Sequence, residues 1–360
     1  MTAGLQIQEI KQINLEVAGG CNLRCPMCPQ STGREKEFMK RLPLEEFRKI
    51  IDQAIPKGLQ YVTLNGSGEP LLYTQLEEAV AYLTERGISS LIYTNGTRLT
   101  PERFERLCQA GLTVCKVSCM GWDRESYAKW MSVDAFDEVR ANLKACVALL
   151  NEKGYATFLQ TNHLIHDINQ LEYERDMYLK NWVDYLGVKA EIWLTHNWAG
   201  QYANDGVKRE VTFAGARRRS CGRPLAPVVE IRAGGLGNKH GAVVPCPYVL
   251  GMDSKAVMGH TEETPLMEIV NNEQMQALRA AHLRGDFDAF EYCRNCDQLL
   301  DIEESLVWTN IEGRTYGTSR VSLISYLDYV PGEREARQQA SVGASAASTR
   351  ADAVPNETVN

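Results

Sequence analysis

The 360-residue chain has no run of 18 or more apolar residues, so it offers no segment of the length and character of a membrane-spanning helix. Its N-terminus, Met1-Thr2-Ala3-Gly4-Leu5-Gln6, lacks the basic region followed by an apolar one that marks a secretory signal. Positive charge is not in excess. The 39 Lys and Arg face 46 Asp and Glu, and a net charge of −7 disfavours bulk nucleic acid and anionic membrane as partners. Arg217-Arg218-Arg219 is a local basic run that could meet a phosphate or carboxylate, although such runs are more often solvated faces. Internal repeats are missing, and from Pro331 onward large apolar residues almost vanish, so 331–360 is expected to be a disordered tail. A cytoplasmic protein acting on a small molecule, without nucleic acid or membrane, is the expectation.

With 44% hydrophobic and 24% charged residues, the chain suits one large domain plus a smaller one. Eleven cysteines in a reducing compartment suggest metal ligands rather than disulfides. Apolar, β-rich runs at 13–17, 61–64, 90–94, 114–118, 157–161 and 190–194 alternate with helix-spaced runs at 44–55, 75–85, 101–110, 135–150 and 170–182. This alternation predicts an α/β fold with a parallel sheet, whose sites lie at the carboxyl ends of the strands. After Trp198 the pattern changes to short strands (228–231, 242–244), Gly-rich loops and a helix near 266–283.

Cys21-x3-Cys25-x2-Cys28 follows the first strand, and the triplet has no local fourth ligand. Three thiolates can hold three irons of a [4Fe–4S] cube and leave the fourth open to a ligand. A zinc knuckle is the competing reading. The segment Val17-Ala18-Gly19-Gly20-Cys21-Asn22-Leu23-Arg24-Cys25-Pro26-Met27-Cys28-Pro29 resembles the cluster loop of the radical S-adenosylmethionine (SAM) superfamily. The resemblance implies a partial (β/α)6 TIM barrel, SAM chelated to the open iron, and a 5′-deoxyadenosyl radical that abstracts hydrogen from a C–H bond. A flavodoxin- or ferredoxin-type protein is then expected to supply the electron.

Further segments match in order. Gly66-Ser67-Gly68-Glu69-Pro70 is similar to the family's GGEP-type segment, which hydrogen-bonds the amino group of SAM, and bare glycine lets backbone approach a ligand closely. Thr94-Asn95-Gly96-Thr97 resembles the TNG segment, where Asn95 is as well suited to forming a turn as to touching SAM. Val117-Ser118-Cys119-Met120-Gly121 resembles a Val-Ser-x-Asp-Gly segment, with Ser118 toward SAM and Met120 standing where the family has aspartate. By strand alternation Cys115 and Cys119 share the face opposite Ser118, while Cys119 is kept as the thiol that could return hydrogen in an epimerase.

Cys221, Cys246, Cys293 and Cys296 form a second constellation, ending in a two-residue-spaced pair. Their order resembles the twitch variant of the SPASM domain, which implies a fully ligated auxiliary [4Fe–4S] cluster; structural zinc is the alternative. The implied organisation is a radical SAM barrel over 10–200, a twitch/SPASM domain over 201–305, and a segment 306–330 packing on the core.

Polar and aromatic residues at the ends of the fifth and sixth strands are the candidates for substrate chemistry. Glu191 and His196 are expected to be catalytic, Glu191 as the base for an alcohol proton, and Asn162, Asn197, Trp198 and Arg223 to bind substrate. Twitch-bearing members of the superfamily include tailoring enzymes for sugars and aminocyclitols in antibiotic biosynthesis. Oxidation of a secondary alcohol of a sugar or aminocyclitol is therefore expected, with a sugar nucleoside as the substrate of the redox-neutral alternatives. Epimerisation, decarboxylation, peptide maturation and a non-catalytic iron–sulfur or zinc module are the alternatives.

Overall fold

Along the first strand, β1 (Gln12–Leu15), Ile13 and Leu15 alternate with Gln12 and Asn14, yet all four are buried. A strand covered on both faces belongs inside a parallel sheet, and alternation gives it one apolar face for helices and one polar face for an interior. The computed structural model describes residues 5–201, 216–300, 305–312 and 325–332. Five more strands follow in parallel register: β2 (Tyr61–Thr63), β3 (Ser89–Thr94), β4 (Val114–Ser118), β5 (Phe158–Ile165) and β6 (Lys189–Leu194). Helices α1 (Leu44–Ala54), α2 (Leu76–Thr84), α3 (Pro101–Gln109), α4 (Arg124–Met131), α5 (Phe136–Lys153) and α6 (Leu171–Tyr178) connect them. The expected α/β architecture and partial barrel are present.

Helix signals are local and legible. Thr100 caps α3 by accepting the Arg103 N–H, with Pro101 in the first turn, and Asp123 with Ser126 forms a capping box at α4. Two boundaries differ from the sequence reading. The run 170–182 is α-helical only to Tyr178 and then continues as a π-helical turn, Leu179–Asp184. The single helix expected over 266–283 is two, Leu266–Val270 and α7 (Glu273–Arg284), because Asn272 caps α7 by accepting the Met275 N–H and Asn271 exchanges hydrogen bonds with Ile7.

The C-terminal part does not build a separate sheet. Strand β7 (Val228–Gly234) pairs in parallel with β1, and β8 (His240–Val244) and β9 (Gly259–His260) extend it antiparallel. At the other edge β10 (Leu306–Thr309) pairs antiparallel with β6. The result is one ten-stranded mixed sheet in the order β10-β6-β5-β4-β3-β2-β1-β7-β8-β9. An open partial barrel leaves two unpaired edges, and here both are covered by strands from beyond residue 216. Tyr326 and Leu327 are buried as well. The boundary placed at 200/201 abuts residues 202–215, and the tail expected over 331–360 lies, past Gly332, outside the described residues. No described helix is long and apolar enough to cross a membrane.

Candidate functional site

The strand ends converge on one cavity of about 220 Å³. Its wall holds Cys21, Cys25 and Cys28 from the loop after β1, the Gly66–Glu69 turn after β2, Asn95 after β3, Ser118 at the end of β4, and Asn162 on β5. The sequence reading had chosen all of these. Two glycines make the approach possible. A Cβ on Gly68 would sit 1.8 Å from the Ala18 carbonyl oxygen, and one on Gly66 would sit 2.5 Å from Glu16 Cβ. The Glu69 N–H donates to Gly20 O (2.8 Å), locking the turn to the cysteine loop.

Glu69 is 2% exposed, and its carboxylate accepts from Thr94 Oγ1 (2.6 Å), Asn95 N (2.8 Å) and Leu71 N (3.0 Å). Burial pushes its pKa up, opposed by those hydrogen bonds. Asn95 both turns the chain and reaches the cysteine loop, its Nδ2 donating to Asn22 Oδ1 (3.0 Å) and lying 3.8 Å from Cys21 Sγ. Glu16, unforeseen in the sequence, ties Arg34 beyond the cysteine loop to the glycine turn and to β7. Its carboxylate takes Arg34 Nη2 (2.8 Å), Ser67 N (2.8 Å) and Ala233 N (3.2 Å). Burial opposes ionisation of Glu16, but Arg34 and Arg232 overcome it and hold the carboxyl below its usual range.

The triplet fits a metal cluster by the chemistry of its donors. Burial raises all three thiols, Cys28 to about 11, and for Cys25 the neighbouring thiolates add to the rise. Three thiolates this close repel one another unless cationic iron sits among them. The second set converges likewise: Cys293 and Cys296 each lie within electrostatic range of both Cys221 and Cys246. Cys293 and Cys296 are held in one turn by the Cys296 N–H to Cys293 O (3.1 Å), and burial raises Cys246 to about 12. None of the eleven cysteines forms a disulfide.

Several candidates do not reach the cavity wall. Glu191, fully buried, sits beside Asn162 in the register and pairs with Lys116 Nζ at 3.5 Å. Neither Glu191 nor Lys116 is among the residues that line the cavity, although their register neighbours Asn162 and Tyr93 are. Cys119 is fully buried on the far face of β4, where burial raises its thiol and Tyr178 hydrogen-bonds it. Asn197 has a different job. It donates to Asn295 O (2.7 Å) and its Oδ1 accepts from Asp297 N (3.1 Å), tying the loop after β6 to the Cys293–Cys296 turn. The next three residues, Trp198, Ala199 and Gly200, all take positive φ (48°, 58° and 80°), a strained path that delivers Trp198 to the cavity.

His196 packs 4.4 Å from the rings of both Trp198 and Tyr248, and Arg223 lies 4.6 Å over Tyr248 while donating to its hydroxyl (3.3 Å). His196 and Arg223 therefore pack against Trp198 and Tyr248, two of the three aromatic residues that line the cavity, the third being Tyr93. Tyr248 itself, Asn14 and Glu230 are wall residues that the sequence reading missed. Glu230 accepts from Asn14 Nδ2 (2.9 Å) and Arg232 Nη1 (3.1 Å). Burial pushes it up to about 7 despite Arg232, with Glu16 adding to the rise. A signal existed: Glu230 and Arg232 are charges at alternate positions of an otherwise apolar strand, against Val229, Ile231 and Ala233.

A cysteine triplet and glycine turn at the mouth of a parallel partial barrel define a class. Residues 15–172 match the radical SAM superfamily model and residues 238–297 the iron-sulfur cluster-binding SPASM domain, so the chain carries a radical SAM domain followed by a SPASM domain. These domains imply SAM, a [4Fe–4S] cluster and an auxiliary cluster as cofactors. A probable GTP 3′,8-cyclase of Methanococcus maripaludis is 29% identical over 166 residues, 46% of this chain and 54% of the relative. An Fe-coproporphyrin III synthase of Methanosarcina barkeri is 34% identical over 127 residues, 35% of this chain and 31% of the relative. The chain thus spans about half or less of the length of these curated relatives. Among solved structures, BtrN in complex with AdoMet and 2-DOIA aligns with TM-score 0.55 at 20% identity, covering 83% of this chain and 98% of that one. Streptococcus suis SuiB bound to the precursor peptide SuiA aligns with TM-score 0.58 at 15% identity, covering 77% and 68%. At such identities the likeness is one of fold.

Proposed function

We propose that this chain oxidises a secondary alcohol of a hydroxyl-rich small molecule, a sugar or aminocyclitol, to a ketone. Cys21, Cys25 and Cys28 would hold the SAM-binding cluster, and Cys221, Cys246, Cys293 and Cys296 the auxiliary cluster. When bound, SAM and its cluster supply a 5′-deoxyadenosyl radical that takes hydrogen from carbon, and the auxiliary cluster supplies an acceptor for the electron left behind.

The protein's own residues divide the remaining work. The Gly66–Glu69 turn, Asn95 and Ser118 would seat SAM, because they stand around the triplet on the same wall. Asn14, Asn162, Trp198 and Tyr248 would bind substrate: amides to pair with hydroxyls, rings to cover apolar faces and exclude water. Glu230 would take the alcohol proton in place of Glu191, which pairs with Lys116 away from the wall. A carboxyl with a pKa of about 7 is suited to accepting a proton at neutral pH.

The observation that carries this reading is Glu230 itself, an acid–base group in the wall of the cavity that also holds the cysteine triplet. A redox-neutral epimerisation would need a thiol at the substrate, and among the described residues the cavity's only cysteines are the three of the triplet. The test is anaerobic reconstitution with SAM, reductant and substrates deuterated at the carbinol carbon. Deuterium in 5′-deoxyadenosine with a product two hydrogens poorer supports oxidation. An isomeric product of unchanged mass would mean epimerisation, and no 5′-deoxyadenosine under any condition would mean a binding module.

A further inference from the structure

Behind the second cysteine set lies a buried polar chain that the proposed reaction does not use. His282, in the last turn of α7, is 4% exposed, and Ser220, next to Cys221, is 5% exposed. Ser220 Oγ lies 2.9 Å from His282 Nδ1, and His282 Nε2 lies 3.6 Å from Cys293 Sγ. The Gly222 N–H donates to Ser220 Oγ (3.1 Å).

These contacts favour one tautomer. Ser220 has one proton to give, and the only acceptor shown for it among the described residues is His282 Nδ1. One of its two lone pairs takes the Gly222 N–H. If Nδ1 accepts, the neutral ring must carry its proton on Nε2, which points at the Cys293 sulfur. The opposite tautomer would turn a lone pair toward a thiolate and leave the Ser220 proton without an acceptor among the described residues. The arrangement is also rigid. Arg279, one turn earlier on α7, donates to Pro224 O (2.9 Å) and Val270 O, clamping the helix to the segment that follows Cys221.

We propose that His282, held by Ser220 in its Nε2–H form, donates a hydrogen bond to Cys293 and thereby raises the reduction potential of the auxiliary cluster. The inference rests on the reading of Cys221, Cys246, Cys293 and Cys296 as that cluster's ligands. A hydrogen bond to a ligand sulfur stabilises the more negative, reduced state, making the cluster a readier acceptor. His282 is a positioning and tuning residue, since it acts through Cys293.

The measurement is a redox titration followed by electron paramagnetic resonance on the full chain, in the background Cys21→Ala/Cys25→Ala/Cys28→Ala so that one cluster is read alone. We expect His282→Leu to keep its iron and shift the midpoint to more negative potential. At fixed poise the reduced-to-oxidised ratio should fall about tenfold, equivalent to about 59 mV for one electron. Ser220→Ala should shift it in the same direction by less, and His282→Gln, which keeps an N–H donor, should restore part of it. An unchanged midpoint in His282→Leu overturns the proposal. If that variant loses its iron, Ser220→Ala decides on the same criterion. Should the background protein bind no iron at all, the ligand reading itself fails, a result distinct from a cluster whose potential ignores His282.

Discussion

The two cysteine constellations solve opposite problems with one kind of ligand. Cys21, Cys25 and Cys28 stand in the wall of a cavity, three donors with ligand-sized space beside them. Cys221, Cys246, Cys293 and Cys296 lie outside that wall, four donors backed by His282 and Arg223. Three thiolates beside open space suit a cluster that binds a ligand, and four enclosed thiolates suit one that only passes electrons. The difference lies in the surroundings. Glycines at 66 and 68 let the turn after β2 close against the chain before the triplet at the cavity wall, while the quartet is backed by α7 and the Ser220 chain.

The sharpest way to break this contrast is to remove each set in turn. Replacing Cys21, Cys25 and Cys28 by alanine should abolish 5′-deoxyadenosine formation while leaving iron in the second set, as read by liquid chromatography and iron analysis. Replacing Cys293 and Cys296 should instead spare SAM cleavage and remove the ketone product. Equal loss of SAM cleavage from both would erase the division of labour.

Glu230 joins the two regions, since β7 leads out of the Cys221 segment and pairs with β1 at the triplet. Glu230→Gln should cut ketone formation about a hundred- to ten-thousandfold, with 5′-deoxyadenosine still made. Because its pKa is raised, the carboxyl holds its proton at low pH, so the base form and kcat/KM should rise through pH of about 7. The variant should lose that rise; a surviving one would assign it to another group.

Smaller effects test the packing around the triplet. In Gly68→Ala the new methyl meets the Ala18 carbonyl, and we expect a loss of about 1–3 kcal/mol in thermal denaturation, with weaker SAM binding by calorimetry. Trp198→Leu should forfeit about 0.5–1.5 kcal/mol of aromatic contact, a few-fold rise in KM for substrate with SAM affinity unchanged.

Much of the first region was legible because its signals are local. Cysteine spacing, the glycine turn after β2 and strand alternation each span a few residues, and β4 lies at 114–118 as expected. Substrate-side residues were less legible, for Glu191 and Glu230 are both carboxylates on buried strands and nothing local separates them. What separates them is the surroundings each side chain meets, since both sit in register with a wall residue but only Glu230 lines the cavity. Glu191 sits opposite Asn162 and reaches Lys116, while Glu230 sits beside Asn14, where β7 joins β1.

By itself the sequence determined the fold class and singled out the cysteine triplet, the Cys293–Cys296 pair and the glycine turn after β2, because each is written in short stretches of chain whose geometry is set by backbone and spacing. Only the tertiary structure decided that the C-terminal strands close the edges of the same sheet, that Asn197 pins a strained loop to aim Trp198, and that Glu230 rather than Glu191 faces the cavity. Those outcomes depend on residues hundreds of positions apart meeting side by side, and strand pairing between distant segments leaves no short-range mark in the chain.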